Sequence, residues 1–497
     1  MRVLIVGGGV AGLAAALSLS RAGHAVEILE RDATPLPASP VEAFERWDRS
    51  GAPQVWHSHA FLARLRSGLL DRSPDVMQAL WDHGAYDLRF AEYVPPTLID
   101  RTPEPADEEL TLFACRRITF EWVLRRAVLA SGDVRWHEGA EVQGLVAETD
   151  PTTGLPRVTG ARVATQGRVE SWSADLVVDA SGRRSRLPRW LAEIGARPVE
   201  QEEEECGIFY CSRFYRLRPG ATPPPQQGVV GADLGYMKFG IFPGDGGIFS
   251  ITLAASLADD PLRAILHERP FEAAARAFPA TRDWVDAARS EPVTPVRAMA
   301  KLVNRRRRFV VDGAPLATGV VALGDAAICT NPLYGRGCTL AFVHAWELAD
   351  ALAASGGDAH ALALGFDAAT RREIEPWYRA ARDQDREARE IATEQMQGGA
   401  ASVETARDAG PLQPVDPKAF LRSVFRDGLL PAMRSDIQVV RAFLRVFNLL
   451  TAPDALMTNP EIINRVLTAW RERDQRAPME LQGPERAEKL ELLSRAA

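Results

Sequence analysis

The sequence predicts an α/β protein: a Rossmann-like nucleotide-binding domain with an inserted antiparallel β-sheet and a helical C-terminal region. Three observations predict it. The chain opens on a strand, a glycine turn, a helix and a second strand. Two more strand-plus-glycine segments follow near residues 176–182 and 320–337. Between those two lie alternating aromatic-rich runs broken by proline and glycine, the pattern of an antiparallel sheet.

The first unit is RVLIVGGGVAGLAAALSLSRAGHAVEILERD. Val3 to Val6 reads as a short buried strand, and Leu13, Leu17 and Leu19 among alanines as a helix able to pack closely on a sheet. Ala25 to Leu29 is the second strand, ending in Glu30. Gly7, Gly9 and Gly12 satisfy G-x-G-x-x-G: the first permits the tight turn, the second lets backbone approach a pyrophosphate, and the third lets helix and strand pack. The helix N-terminus then presents its partial positive charge to phosphate. Glu30 stands 18 residues past Gly12, where a carboxylate accepts both ribose hydroxyls, and Arg31 beside it joins the cofactor-binding candidates. On this motif alone the dinucleotide is NAD or FAD.

The downstream segments decide between them. ADLVVDASGRRSRLPRWL runs from a strand, Leu176 to Val178, into Asp179-Ala180-Ser181-Gly182. GVVALGDAAICTNPLYGRGCTLAFVHAWELADAL runs from a strand, Val320 to Leu323, into Gly324-Asp325, then a loop with Pro332, Gly335 and Gly337, then a long helix. Here the chain resembles the flavoprotein monooxygenases of the glutathione-reductase-like (GR2) fold, marked by GD-(x)n-P-x-x-G-x-G before a helix. The resemblance implies FAD, with Asp325 on the ribityl hydroxyls and the helix from Gly337 aimed at the flavin end that becomes negative on reduction. It also implies that Arg117, in the helical run CRRITFEWVLRRAVL, reaches the FAD phosphates, and it adds Asp179 and Gly182 to the cofactor set.

GAPQVWHSHAFLARLRSGLL raises a metal question, since His57-Ser58-His59 is a spacing that metal sites use. A metal needs a third and fourth ligand, and the other histidines (His24, His83, His137, His267, His344 and His360) are dispersed, so no metal is expected. The run reads instead as extended chain entering a helix, with Ser58 able to cap it and Phe61, Leu62, Leu65 and Leu69 facing the core. Together with NPLYGRG and DASGR it resembles the squalene-epoxidase-like branch, including polyether and polyene epoxidases. That likeness implies Gln54, His57 and His59 as donors near the flavin. His57, His59 and Tyr236 are the catalytic candidates.

The flavin domain is expected to be discontinuous (1–95, 110–196 and 296–352), with a substrate sheet over 197–295 joined by 96–109, and helices over 353–497. Tyr210, Phe214, Tyr236, Phe239 and Phe242 are candidate pocket walls, although alternation sends half of such a set to the opposite face. Glu202 to Glu205 and Arg305 to Arg308 read as solvated strand edges. The stripe Val439, Val440, Phe443, Leu444, Phe447 and Leu450 reads as a cover over the catalytic body, with a dimer seam or a greasy substrate path as alternatives.

Composition bounds the partners. A net charge of −7 offers no nucleic-acid footprint. Five scattered cysteines form no C-x-x-C pair, which suits a reducing compartment. The apolar run MRVLIV breaks at glycine too early for a signal peptide, and no run of about 18 apolar residues occurs. The expectation is a cytoplasmic monomer or homodimer.

The resemblance implies a monooxygenase of secondary metabolism that hydroxylates or epoxidises an apolar small molecule through a flavin C4a-hydroperoxide, with O2 as co-substrate. No second dinucleotide unit is present, and Ser181 replaces the aspartate linked with NAD(P)H recognition. Electrons therefore come from transient NAD(P)H or from a partner flavin reductase. Halogenases of this fold carry W-x-W-x-x-P and a lysine beside the flavin; this chain has neither that tryptophan pair nor any lysine before Lys238. Two alternatives stand: a hydride-transferring reductase of the geranylgeranyl-reductase type, and a non-catalytic FAD scaffold.

Overall fold

A computed structural model describes residues 1–95, 97–224, 231–396, 417–476 and 483–496. Five parallel strands form the central sheet in the order Val320–Ala322, Leu176–Asp179, Arg2–Val6, Ala25–Glu30, Val134–Glu138. Their near-continuous valine, isoleucine and leucine content is that of strands covered on both faces, and Val3, Ile5, Ile28 and Val178 are fully buried. The chain leaves Arg2–Val6 to pair on one side with Ala25–Glu30 and later on the other with Leu176–Asp179. That reversal puts a topological switch point at the carboxyl end of the first strand, directly at the glycine turn.

The second sheet is antiparallel, in the order Gly231–Asp233, Met237–Pro243, Ile248–Ser256, Ile208–Leu217, Ser290–Pro292, with Arg297–Met299 also pairing on Ile208–Leu217. Its alternation divides the aromatic residues cleanly. Phe209, Tyr215, Phe239, Phe249 and Leu253 pack in an outer core with Phe271 and Phe278. Tyr210, Ser212 and Phe214, opposite Ala254, Thr252 and Ser250, occupy the other face. Phe214 belongs to the core of the flavin-side domain, so this second face is the one turned toward it.

The charge runs are not the pair of solvated edges that the sequence suggests. Glu200–Glu205 pairs antiparallel with Val303–Arg308, Glu202 opposite Arg306 and Glu203 opposite Arg305. The glutamates stay largely at the surface, but Arg305, Arg306 and Arg307 are buried. Each finds fixed partners: Arg306 pairs with Glu202 and Glu375, and Arg307 donates to Gln201 Oε1 and the Ala326 carbonyl, both at 2.9 Å. A buried guanidinium is tolerated only with such partners.

Helix Ile437–Phe447 packs on the segment that carries Phe90, Val94, Leu98 and Leu110. Helix Ile437–Phe447 buries Val439 and Val440 but leaves Phe447 exposed, so the apolar stripe is only partly covered. Asn448, just after it, accepts the Ala63 N–H at 2.9 Å and caps helix Ala63–Arg72. Ser58 therefore does not cap that helix, whereas Phe61, Leu62, Leu65 and Leu69 are buried as expected. No helix among the described residues is long and apolar enough to cross a membrane.

Helix Arg486–Ala496 closes the outer core. Arg486 makes a bidentate pair with Asp259 at 2.8 Å. Lys489 is fully buried, donates to the Ala274 carbonyl at 3.1 Å and stands 3.6 Å from the Phe278 ring centroid. Burial pulls its pKa down to about 7. Between that value and the ordinary 10.5 the unfolded chain binds the proton that the folded chain lacks, so stability rises with pH across this window. The expected result is a denaturation midpoint that climbs from pH 7 toward pH 10. Lys489→Met should flatten that slope and stabilise the protein at pH 7 by on the order of 2 kcal/mol.

Candidate active site

The glycine turn is held from every side. Gly7 has φ +100°, and a Cβ there would stand 2.9 Å from the Ala180 carbonyl oxygen. A Cβ on Gly12 would lie 1.9 Å from the Gly7 carbonyl oxygen, whereas one on Gly9, the N-cap of helix Val10–Arg21, would meet nothing within 4 Å. Glu30 is buried at the strand end; its carboxylate accepts the N–H of Gly8 at 3.0 Å and of Asp32 at 2.9 Å. Arg31, next to it, points to solvent.

Behind this turn sits a charge network the sequence did not announce. Buried Arg49 donates to Glu121 Oε1 at 2.6 Å and to Asp32 Oδ2 at 3.0 Å. Glu121 also pairs with Arg117 at 2.6 Å, one helical turn before it. These two arginines hold the Glu121 carboxyl below its usual range against the opposing effect of burial. Arg117 Nε, equally buried, has no hydrogen-bond partner.

The second half of the site begins at Gly324, whose φ of +60° turns the chain out of strand Val320–Ala322. Its N–H donates to His344 Nδ1 at 3.2 Å, so His344 is the tautomer protonated on Nε2, which faces Thr370 Oγ1 at 2.9 Å. Burial lowers the His344 pKa to about 3, keeping that imidazole neutral. Asp325 is enclosed deeply enough for desolvation to raise its carboxyl pKa, with Arg183 and Arg305 pulling the other way. Yet its side chain retains accessible surface, as expected of a group lining a cleft. Arg305 Nη2 reaches the carbonyls of Arg183 and Asp325, at 2.5 and 3.5 Å, so two residues of the arginine run brace this turn.

The loop from Pro332 to Gly337 is anchored from far away. Asp385, buried in helix Glu375–Met396, accepts from Asn304 Nδ2 at 2.6 Å, Asn331 Nδ2 at 2.8 Å and the Tyr334 hydroxyl at 2.7 Å. Gly335 then turns with φ +69°, and a Cβ on it would press on Ala60 at 3.1 Å. Gly337 starts helix Gly337–Ala354, with open space where its Cβ would lie.

Asp179 behaves differently from Asp325. Its Oδ1 accepts the Ser181 N–H at 3.0 Å and the Ser181 hydroxyl at 2.5 Å, and Oδ2 accepts the Ser185 hydroxyl. Burial raises its pKa while these serine bonds oppose the rise. The carboxylate is spent on closing its own turn through Gly182 (φ +75°), and that turn packs against Gly7.

The His57–His59 segment lies against the inward face of the antiparallel sheet. Gln54 is part of a 3-10 turn, Pro53–Trp56, and its carbonyl accepts the His57 N–H at 3.1 Å. His57 Nδ1 is 3.1 Å from Ser212 Oγ; Ser212, Thr252, Ser58 and Ser250 then continue a chain of hydroxyls at 2.7 Å each. This polar seam seats the segment on the inward sheet face. His59 Nδ1 lies 3.0 Å from the His57 carbonyl, which can only accept, so Nδ1 carries the proton. Burial and Arg117 lower the His59 pKa to about 3, leaving its Nε2 as an acceptor rather than the donor that the sequence suggests. His57, lowered to about 4, is also neutral.

A pocket lined by His57, His59, Arg116, Arg117, Phe214, Phe242 and Ser250 lies here. Tyr236 is not among these residues: it sits in the outer core, its hydroxyl donating to the Pro484 carbonyl at 2.6 Å. Among the described residues no group of three or more His, Cys, Asp and Glu side chains could hold a metal. Arg49, His344 and Asp385 escaped sequence reasoning because nothing local marks them.

The residues present fit an FAD. The cradle is open where Gly9 and Gly337 lack a Cβ, and Arg117 Nε lies buried without a partner. The Thr339 hydroxyl, in the first turn of helix Gly337–Ala354, is likewise buried without a partner.

Comparison with known proteins agrees. The profile of the FAD dependent oxidoreductase family matches residues 2–97. Protein Rv3254 of Mycobacterium tuberculosis is 29% identical over 373 residues, 71% of this chain and 73% of that protein. Among solved structures, the anhydrotetracycline hydroxylase OxyS from Streptomyces rimosus superposes with a TM-score of 0.55 at 18% identity, over 91% of this chain and 77% of that one. The flavin-dependent brominase Bmp2 gives 0.54 at 16% identity, over 96% of this chain and 100% of that one. The N-terminal match and the shared fold both support reading the protein as a flavin-dependent oxidoreductase.

Proposed function

We propose that the chain is an FAD-dependent monooxygenase that hydroxylates or epoxidises an apolar small molecule in secondary metabolism, with chemistry closest to the squalene-epoxidase-like branch. The observation that carries this reading is the pocket between the His57–His59 segment and the inward sheet face, bounded by Phe214 and Phe242, in a segment whose Ala60 meets the Gly335 turn. Gly7, Gly9, Gly12, Glu30 and Arg117 hold the dinucleotide end of FAD; Asp325 and the Pro332–Gly337 loop hold the flavin end.

The bound flavin, once reduced by NAD(P)H or by a partner reductase, supplies the oxygen chemistry. The chain's own part is to exclude water and to orient the substrate. Neutral His59 offers Nε2 as an acceptor at the pocket wall, and His57 anchors that wall to Ser212. No lysine lines this pocket, whereas the halogenases of this fold are expected to carry one beside the flavin.

The test is NAD(P)H-driven oxygen uptake in the presence of an apolar alkene or arene, with 18O from O2 in the product. Substrate conversion under strict anaerobiosis would overturn the reading in favour of a hydride-transferring reductase. His59→Ala should lower retained flavin by roughly three- to tenfold, the worth of one hydrogen bond, while a chelator leaves it unchanged. Flavin absorbance per protein after gel filtration measures both.

A further inference from the structure

Two arginines at the inward sheet face, Arg297 on strand Arg297–Met299 and Arg183 in the turn Gly182–Arg184, have no carboxylate within ion-pair distance among the described residues. Ser212 faces Arg297 across the strands, and Tyr210 faces Met299, so all four side chains share the pocket-side face. His57 bonds Ser212 at 3.1 Å and stands edge-on to Tyr210 with ring centroids 4.9 Å apart. Arg183 Nη2 reaches the Met299 sulfur at 3.7 Å, and the Arg297 guanidinium lies 5.8 Å from the Trp56 ring centroid. Both arginines thus approach His57, Arg297 over the adjacent Trp56 and Arg183 by way of Met299 beside Tyr210, and both oppose its protonation.

Neither forms an ion pair among the described residues. Arg49, Arg116, Arg117 and Arg213, by contrast, each hold a carboxylate. Arg297 is exposed and Arg183 half-buried, so both can meet an incoming ligand without rearranging the fold. Arg297 shares the sheet face of Phe214 and Ser250, which line the pocket, and Arg183 reaches that face at Met299. Guanidinium groups match the two oxygens of a carboxylate or phosphate with paired, charge-assisted hydrogen bonds.

We propose that Arg183 and Arg297 bind an oxyanion group, carboxylate or phosphate, on the ligand whose apolar part enters the pocket beside His57. This deepens, and rests on, the reading of that pocket as a small-molecule site. The ligand is then amphiphilic: an apolar body against Phe214 and Phe242, and an anionic end at the two arginines. The same chemistry could be met by the substrate's own carboxylate or by the phosphates of a dinucleotide reductant.

Calorimetric titration of the flavin-loaded protein separates these sources. The probes are 2-naphthoate, its neutral isostere 2-naphthamide, and ADP-ribose. Naphthoate should bind roughly tenfold tighter than naphthamide, and the R183Q/R297Q double variant, compared per mole of bound flavin, should abolish the preference. The R183K/R297K variant should restore part of it. Arginine-dependent binding of naphthoate assigns the oxyanion to the substrate; arginine-dependent binding of ADP-ribose alone assigns it to the reductant. If neither anion's affinity responds to the arginines, the proposal is overturned. The measurement needs no oxygen and no turnover, so its failure leaves the oxygen-uptake test standing, and the reverse also holds.

Discussion

Gly12→Ala is expected to strip the protein of flavin and to destabilise its fold, whereas Gly9→Ala should strip the flavin and leave the fold intact. The two glycines stand three residues apart in one turn but face different things. A Cβ on Gly12 would lie 1.9 Å from the Gly7 carbonyl oxygen, which is backbone and cannot swing aside. Gly7 is itself pinned, since it holds a left-handed φ against Ala180 and its N–H donates to the Leu29 carbonyl at 2.9 Å. The strain must spread into the helix and strand on either side, at about 2 kcal/mol or more. At Gly9 the Cβ meets no protein atom within 4 Å, so it intrudes only on what the turn is built to hold. Thermal melts of the flavin-free forms, with flavin absorbance of the purified forms, distinguish the two. Full flavin retention by Gly9→Ala would rule out this turn as the pyrophosphate cradle.

Asp385→Ala carries the second large effect, at a position more remote in sequence. Its carboxylate collects three donors, from Asn304, Asn331 and Tyr334, and its removal leaves all three without that acceptor in a buried setting. Each buried donor so orphaned costs about 1–3 kcal/mol, so a loss of about 3–5 kcal/mol is expected by chemical denaturation. The Pro332–Tyr334 turn and the start of helix Gly337–Ala354 lose their anchor together, so retained flavin should fall in parallel. Asp385→Asn should recover part of both, and Tyr334→Phe, which deletes one donor along with its need for a partner, should cost about 1 kcal/mol. Equal stability of Asp385→Ala and the parent protein would show that the loop is held by other means.

Much of the flavin-side architecture was legible because its determinants are local. A turn that needs left-handed backbone advertises itself through glycine, and a strand covered on both faces advertises itself through unbroken valine and leucine. Gly7, Gly324 and Gly335 each meet the first requirement, and Gly12 is fixed instead by its close approach to the Gly7 carbonyl. The alternation of the inserted sheet was legible for the same reason, and it separates Phe214 from Phe239 as period-two geometry demands. The charge runs were misjudged because register is not local. Arg305 and Arg307 are buried only because their strand pairs with Glu200–Glu205 and lies against the Asp325–Ala326 turn.

The sequence by itself determined the dinucleotide turn, the flavin-side glycines, the acid at the second strand's end and the two-sheet plan. Each of these rests on backbone geometry within a few residues. Only the tertiary structure decided what the polar side chains do. Arg49 is joined to Glu121 across 72 residues and Ala63 to Asn448 across 385, and no periodicity connects such partners. The histidine segment shows the division best. Its spacing left metal ligand, donor and structural residue open; one carbonyl, 3.0 Å from His59 Nδ1, makes that ring a neutral acceptor. Hydrogen-bond direction is set by whatever atom lies opposite, and that atom is placed by the fold.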